Sequence, residues 1–350
     1  MQVPAAVSPL TRDIVMGPAC AARVLAVFPT AVYLGVDGGR SRMAAVLPVV
    51  TSDALLLPTS LRLAASSGEV AWPVCAGDAV VVGAGRVVGA GLELRAVREW
   101  RPSRVGVLPV PGRAAADGVG YVGVLADLCA DLVRAALDGR TVEPHVHGLV
   151  GAGAGLTPSG DDALCGVLLA LRAWGRSPEP LAAVVGAVAR SLRRTNDLSA
   201  SLLRAAAEGY AVPQVVSLVE ALSRSESEAG RSVAGRSVAV TALEAVRAIG
   251  HSSGRDLVAG LAGALHSIES ARSPIEGARS PIEGARSPIE SARSPIEGAR
   301  SPIEGARSPI EGARFPIEGA RFPIEGARFP IEGARFPIES ALFASPLRKE

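Results

Sequence analysis

A glycine-rich segment that runs into an apolar stretch constrains the fold of this chain most strongly. Residues 151–162 read Gly-Ala-Gly-Ala-Gly-Leu-Thr-Pro-Ser-Gly-Asp-Asp, and the apolar residues 163–174 follow directly. Glycine allows positive φ, Thr157 or Ser159 can cap a helix, and Pro158 suits a first helical position. The segment predicts a tight loop that feeds a helix N-terminus, where free N–H groups and the helix dipole favour an anion.

The segment matches neither of the common nucleotide-binding motifs. Residues 155–160 have the glycine spacing of a Walker A loop, but Asp161 stands at the lysine position. A carboxylate there repels phosphates unless a cation intervenes. The residues from Gly151 to Gly155 lack the third Rossmann glycine, and Pro158 interrupts the helix start. The sequence therefore argues against dinucleotide binding.

Three motifs in order resemble one bacterial protein family. Residues 153–166 resemble its signature, and the stretches Thr195-Asn-Asp-Leu-Ser and Gly250-His-Ser-Ser-Gly-Arg-Asp follow it. The resemblance spans roughly residues 10–268. One branch of the family is the third subunit of oxamate carbamoyltransferase in anaerobic allantoin breakdown, a route of purine and nitrogen catabolism.

The resemblance implies a subunit of a carbamoyltransferase-type enzyme, which interconverts oxalurate plus phosphate with oxamate plus carbamoyl phosphate. It also implies other protein subunits and a small anionic substrate such as carbamoyl phosphate or oxamate. Capping and catalysis require the same residue types, so the sequence leaves a second class open. That alternative is a non-catalytic small-anion-binding or scaffold subunit.

The candidate catalytic residues are Asp161 and Asp162, which could orient an amide nitrogen or act as a base, and His251, which could move a proton. The two adjacent carboxylates could also bind Mg²⁺. No Ser-His-Asp or Cys-His arrangement is readable from the residue order. Ligand-binding candidates come from the three motifs, and they are Gly153, Gly155, Thr157, Ser159, Gly160, Asn196, Ser199, Ser252, Ser253, Gly254 and Asp256.

An internal similarity links two of these motifs. Residues 159–171 align with residues 253–265, and the serine, the first glycine, an aspartate and a later glycine coincide. We expect two similar loop-to-helix units whose N-termini face one pocket, with Gly166 and Gly260 allowing close helix packing. Each unit also contains an S-x-x-D pattern, so helix capping alone could explain those serines and aspartates. Asn196 and Ser199 could either cap a helix over 197–208 or reach the site.

Composition narrows the functional classes. The chain has 36 Lys+Arg against 34 Asp+Glu, and this balance predicts no attraction to nucleic acid or membranes. The four cysteines are widely spaced and indicate buried free thiols in a cytoplasmic protein. His145 and His147 form a His-x-His pair that we interpret as ordinary loop or strand residues, with no metal site.

The predicted fold class is α+β, with three regions. Residues 1–115 are β-rich and fit a small barrel or sandwich. Residues 116–270 are mainly helical and carry the glycine-rich loop. Residues 271–350 form a low-complexity tail of heptads containing Pro-Ile-Glu. Proline in every heptad excludes a coiled coil and predicts a disordered tail.

Overall fold

The computed structural model describes residues 2–37, 44–112, 117–120, 123–224 and 233–272. The low-complexity tail predicted over 271–350 lies outside the described residues beyond residue 272, so its disorder stays a prediction. The described part has a β-rich N-terminal region followed by a helical region, which confirms the predicted α+β class.

Eight strands close into a barrel, which decides between the barrel and sandwich alternatives. Around the barrel they follow the order β1-β5-β4-β3-β2-β6-β7-β8. Two neighbouring pairs, β1 with β8 and β4 with β5, are parallel. The strands are β1 (Gln2–Val7), β2 (Cys20–Phe28), β3 (Ala31–Val36), β4 (Val46–Val50), β5 (Leu61–Leu63), β6 (Ala79–Gly83), β7 (Arg86–Gly89) and β8 (Leu92–Glu99).

Residues along the barrel strands alternate between the buried interior and the exposed outside. In β6, Val80 and Val82 are buried in its interior while Ala79 and Val81 are exposed. In β4 all five residues are buried, because this strand also contacts the helical region. Strands β1, β5 and β7 were not predicted, since β5 and β7 are short and β1 contains a proline.

One short helix, α1 (Arg12–Met16), lies between β1 and β2 in the barrel region. The helical region follows the last strand, β8. The mainly helical character predicted for this region is confirmed, and the helix predicted over 197–208 lies at Asp197–Ala207. The elements are α2 (Val124–Leu137), α3 (Glu143–Leu149), α4 (Ser159–Trp174), α5 (Pro178–Ser191), α6 (Asp197–Ala207), α7 (Pro213–Arg224), α8 (Val233–Arg247) and α9 (Ser253–Ser270).

Helix α4 is the centre of the helical region. It is buried along nearly its whole length, so it is enclosed on all sides and is not a surface helix with one apolar face. Its closest partner is α9. A Cβ added at Gly166 would overlap the carbonyl oxygen of Leu257, and one at Gly260 would overlap that of Ala163. The predicted close packing at these two glycines is confirmed.

Two smaller predictions are wrong. His145 and His147 lie on helix α3 and not on a strand, because Glu143 and Pro144 start a helix there. Only two of the four cysteines are buried; Cys20 is half-buried and Cys75 is exposed.

No helix in the described ranges has the length and hydrophobicity needed to cross a membrane.

Candidate functional site

A cavity of about 650 Å³ lies between the barrel and the helical region. Its barrel side is formed by β2, β3 and the segment after β4. Its helical side is formed by the loops before α4 and α9 together with α4, α6 and α7. The wall is mainly hydrocarbon, and no lysine or arginine is among the described residues that line it. A volume of this size is typical of small-molecule sites.

The starts of α4 and α9 lie side by side at this cavity. The hydroxyl oxygens of Thr157 and Ser253 are 2.8 Å apart, so the two loops meet directly. The glycines that follow the aligned serines also match. A Cβ at Gly160 would overlap the carbonyl oxygen of Leu149, and one at Gly254 would overlap that of Val246. The two aligned sequence stretches thus have the same local packing.

The helix starts differ from the predicted capping. Ser159 and Ser253 are the first helical residues, and neither helix start has a side-chain cap. The N–H of Gly160 donates to the Ala152 carbonyl at 2.8 Å, and that of Gly254 donates to Ile249 at 3.0 Å. These two bonds remove both glycine N–H groups from use by an anion. The capping-box interpretation is wrong for another reason: the N–H of Asp162 donates to the Pro158 carbonyl and that of Asp256 to the Ser252 carbonyl, so the serine hydroxyls accept neither.

Asp162 is the ionisable group at the polar end of the cavity. Its side chain is 7% exposed, and its Oδ2 has no hydrogen-bond partner among the described residues. Burial raises its pKa to about 7, against opposing hydrogen bonds from Ser253 and Thr157. The charges of Asp256 and Asp161 raise it further. A carboxyl group with this pKa can hold or release a proton near neutral pH.

Asp161 has a different environment and is 2% exposed. Its Oδ1 accepts the N–H of Gly151 at 2.9 Å, and its Oδ2 accepts the hydroxyl of Thr195. Gly151 has φ +76°, and a Cβ there would overlap the Arg194 carbonyl oxygen. Asp161 therefore fixes the glycine-rich loop to the connection before α6, and it does not line the cavity.

Asn196 makes two connections on the other side of the same loop. Its Oδ1 accepts the N–H of Ser199 at 3.0 Å and caps α6, which is one of the two alternatives that the sequence left open. Its Nδ2 donates to the Leu156 carbonyl at 3.0 Å. Ser199 is buried, and its hydroxyl has no partner within the described residues. Asn196 therefore supports the loop, Ser199 contributes only its N–H to the helix cap, and neither residue lines the cavity.

Half of the fourteen predicted site residues line the cavity. They are Gly155, Thr157, Asp162, His251, Ser252, Ser253 and Gly254. The others, Gly153, Ser159, Gly160, Asp161, Asn196, Ser199 and Asp256, lie outside its wall and belong to the surrounding loops and helices.

The groups around Asp162 limit the possible chemistry. Cys165 lies one helical turn further along the cavity wall, but burial raises its pKa well above the usual value, and the charges of Asp162 and Asp161 add to this. A thiol of that kind is a poor nucleophile. His251 is exposed at the cavity rim. The site is therefore suited to binding and proton transfer.

The structure gives no support to Mg²⁺ at Asp161 and Asp162. The two carboxyl groups have separate partners. Asp161 accepts hydrogen bonds from Gly151 and Thr195, and Asp162 accepts them from Thr157 and Ser253. Within the described ranges, no cluster of three or more His, Cys, Asp or Glu side chains could hold a metal ion.

The barrel side of the cavity was missed from the sequence. Phe28, Tyr33, Leu55 and Leu57 line it, and burial raises the pKa of Tyr33. Apolar residues in or near strands predict a core, and nothing in their spacing marks a ligand wall. The one available signal was the run Leu-Leu-Leu-Pro at residues 55–58, which lies outside a regular strand.

Comparison with known proteins agrees with the predicted resemblance. Residues 149–265 match a family model described as oxamate carbamoyltransferase subunit AllH. The matched region starts before the glycine-rich loop and ends within α9, so it contains both helix starts at the cavity. It is shorter than the predicted span of 10–268 and does not include the barrel. No solved structure matches the chain. The central helical region of this chain, residues 149–265, thus carries the sequence pattern of the oxamate carbamoyltransferase subunit AllH family.

Proposed function

We propose that this chain is a subunit of an oxamate carbamoyltransferase-like enzyme and that its cavity holds the amide end of the substrate. The observation that carries the proposal is the position of Asp162. Its unpartnered carboxyl oxygen lies where the two helix starts of the family-matched region meet. A buried acceptor without a donor is costly, and an amide N–H would satisfy it.

Asp162 suits the proton transfer that carbamoyl exchange requires. A phosphate oxygen attacks the carbamoyl carbon of oxalurate, and the bond from this carbon to the inner nitrogen breaks. That nitrogen becomes the amide of oxamate and takes a proton, which protonated Asp162 can donate. The proton lost by the phosphate hydroxyl restores the acid. A pKa of about 7 supports both steps near neutral pH.

The proposal requires a partner subunit for the phosphate. No lysine or arginine is among the described residues of the cavity wall. The N–H groups of Gly160 and Gly254 are already bonded within the chain. Phosphate in a low-dielectric site needs donors or cations. We therefore propose that another subunit supplies them, as the subunit description of the matched family suggests.

The test is an assay of carbamoyl phosphate formation from oxalurate and phosphate, using the complex of this chain with its co-expressed partner subunits. Asp162→Asn should lower turnover at least about 100-fold, the usual size of a lost acid or base. Asp131→Asn, an exposed carboxylate on α2, is the matched control and should keep wild-type turnover.

Two results would contradict the proposal. One is a complex that transfers carbamoyl groups equally well without this chain. The other is an Asp162→Asn complex that assembles normally and keeps wild-type turnover. That second result would favour a scaffold subunit, in which the cavity residues have only a structural part.

A further inference from the structure

The cavity is far larger than oxamate, and its wall beyond the polar end at Asp162 is mainly apolar. Asp162, Cys165 and Leu169 lie one above the other on α4, and all three line the cavity. Seven residues of helix span about 10 Å. On α6, Leu198, Leu202 and Ala206 repeat the pattern over a similar length. The cavity therefore extends about 10 Å from the carboxyl group, along hydrocarbon.

The mouth of the cavity is apolar as well. Phe28 on the barrel side and Leu156 on the helical side are both exposed, at 44% and 46%. Large exposed apolar residues in the wall of a cavity favour contact with a hydrocarbon ligand. The polar groups of the described wall are concentrated at the loops before α4 and α9, with Tyr33 and Tyr210 as further hydroxyls.

Asp162 sets the chemistry of the polar end. Its buried Oδ2 needs a hydrogen-bond donor, because the Thr157 and Ser253 hydroxyls already use their protons in bonds to each other and to this carboxyl group. A ligand carboxylate would face Asp162 without a compensating cation among the described wall residues. An amide or urea group provides the missing donor without a charge.

We propose that this cavity binds an amide or ureide with a hydrocarbon substituent, placing its N–H group at Asp162 and its hydrocarbon along Leu169 and Leu202. The amide end rests on the proposed function. The hydrocarbon substituent rests only on the dimensions and polarity of the cavity. The preferred ligand of the cavity then has a hydrocarbon group where oxamate has a carboxylate, and oxamate or oxalurate would occupy only its polar end.

The test is calorimetric titration of the full-length chain at pH 8 with primary amides from acetamide to decanamide. Affinity should rise about fourfold per methylene, from roughly 0.8 kcal/mol per buried CH₂. It should level off near eight carbons, because an extended chain advances about 1.3 Å per bond of about 1.5 Å. Octanoate should bind at least tenfold more weakly than octanamide.

Filling the far end of the cavity should shorten the preferred chain. Ala206→Leu adds a side chain at a cavity-lining position of α6, and the levelling-off should move to shorter amides by two or three carbons. Ala207→Leu at the next residue, which is half-buried and does not line the cavity, should leave the series unchanged. The dependence of affinity on amide length is measured on the wild-type chain, so that test stands even if Ala206→Leu fails to fold.

Three outcomes overturn the inference: affinity that does not depend on chain length, octanoate binding as tightly as octanamide, or octylammonium binding more tightly than octanamide. The proposed function fails separately. Transfer to oxamate without amide binding would reject only the hydrocarbon substituent. Amide binding with no carbamoyl transfer by the assembled complex would reject only the enzymatic role.

Discussion

At the scale of single residues, two adjacent aspartates have separate tasks. Asp161 accepts hydrogen bonds from two donors of its own chain, whereas Asp162 has an oxygen at the cavity with no partner in the described part of the chain. The sequence treats them alike, because both are carboxylates in the first turn of a helix. Their difference depends on which way each side chain points, and only the tertiary structure sets that direction.

The raised pKa of Asp162 makes stability depend on pH. The folded chain holds this proton up to about pH 7, whereas the unfolded chain loses it near pH 4. Over that interval the folded state binds more protons, so the contribution of Asp162 to stability falls as pH rises. The loss of stability builds up between about pH 4 and pH 7 and reaches up to roughly 4 kcal/mol, for a pKa shift of about three units.

Asp162→Asn should therefore change how the free energy of unfolding depends on pH, and not only its value at one pH. The free energy of unfolding of the variant minus that of wild type should increase from pH 4 to pH 7 and then stay constant, because only wild type loses stability over this interval. Urea denaturation at a series of pH values measures this. Parallel curves for the two proteins would show that the Asp162 pKa is the same in the folded and unfolded chains.

Asp161→Ala should be destabilising, because it leaves the Gly151 N–H and the Thr195 hydroxyl without their acceptor. Buried unsatisfied donors cost about 1–3 kcal/mol each, so we expect a loss of roughly 2–4 kcal/mol. Thr195→Val removes one donor and should cost less. Thermal unfolding measures both. A fully stable Asp161→Ala protein with lost turnover would instead place Asp161 in the chemistry.

At the scale of elements, the α4–α9 pair positions the site. The contacts of Gly166 with Leu257 and of Gly260 with Ala163 are equivalent under the internal alignment. The two helices are thus paired almost symmetrically, with both starts on one side. This arrangement brings Thr157 and Ser253 together.

Gly260→Ala should push α4 and α9 apart, because its Cβ would overlap the backbone carbonyl of Ala163, which cannot rotate away. We expect a loss of at least about 2 kcal/mol in stability, a cost typical of overpacking. Gly148→Ala is the matched control, since it lies in helix α3 and a Cβ there meets nothing within 4 Å. It should be neutral or stabilising by up to about 1 kcal/mol. Equal stability of the two variants would mean that the helices can separate without cost.

At the scale of the whole described molecule, the cavity depends on both the barrel and the helices. Leu55→Ala, in the segment after β4, removes hydrocarbon from the wall without touching the family-matched region. Octanamide binding should weaken roughly tenfold, while acetamide binding should stay unchanged. Calorimetry with the two amides distinguishes this from a general loss of structure, which would weaken both.

The sequence predicts the α+β class, most of the helices and the loop that starts α4, because periodic apolar residues and glycines determine local structure. It also predicts the pairing of Gly166 with Gly260 through the internal similarity. It does not predict the barrel wall of the cavity, since Tyr33 and Leu57 have ordinary core patterns. The capping boxes were wrong because the helices begin at the serines themselves, and the N–H groups of Asp162 and Asp256 donate to backbone carbonyls.

The most direct test of the account is carbon-13 NMR of the aspartate carboxyl groups, titrated with pH in the free chain and in the presence of octanamide. The Asp162 signal is identified by its loss in Asp162→Asn. It should titrate near pH 7 in the free chain, and bound amide should lower its pKa, because an N–H donor stabilises the carboxylate. A signal that titrates near pH 4, or whose pKa is unchanged by saturating octanamide, would contradict the proposal that Asp162 binds the amide end of a ligand in this cavity.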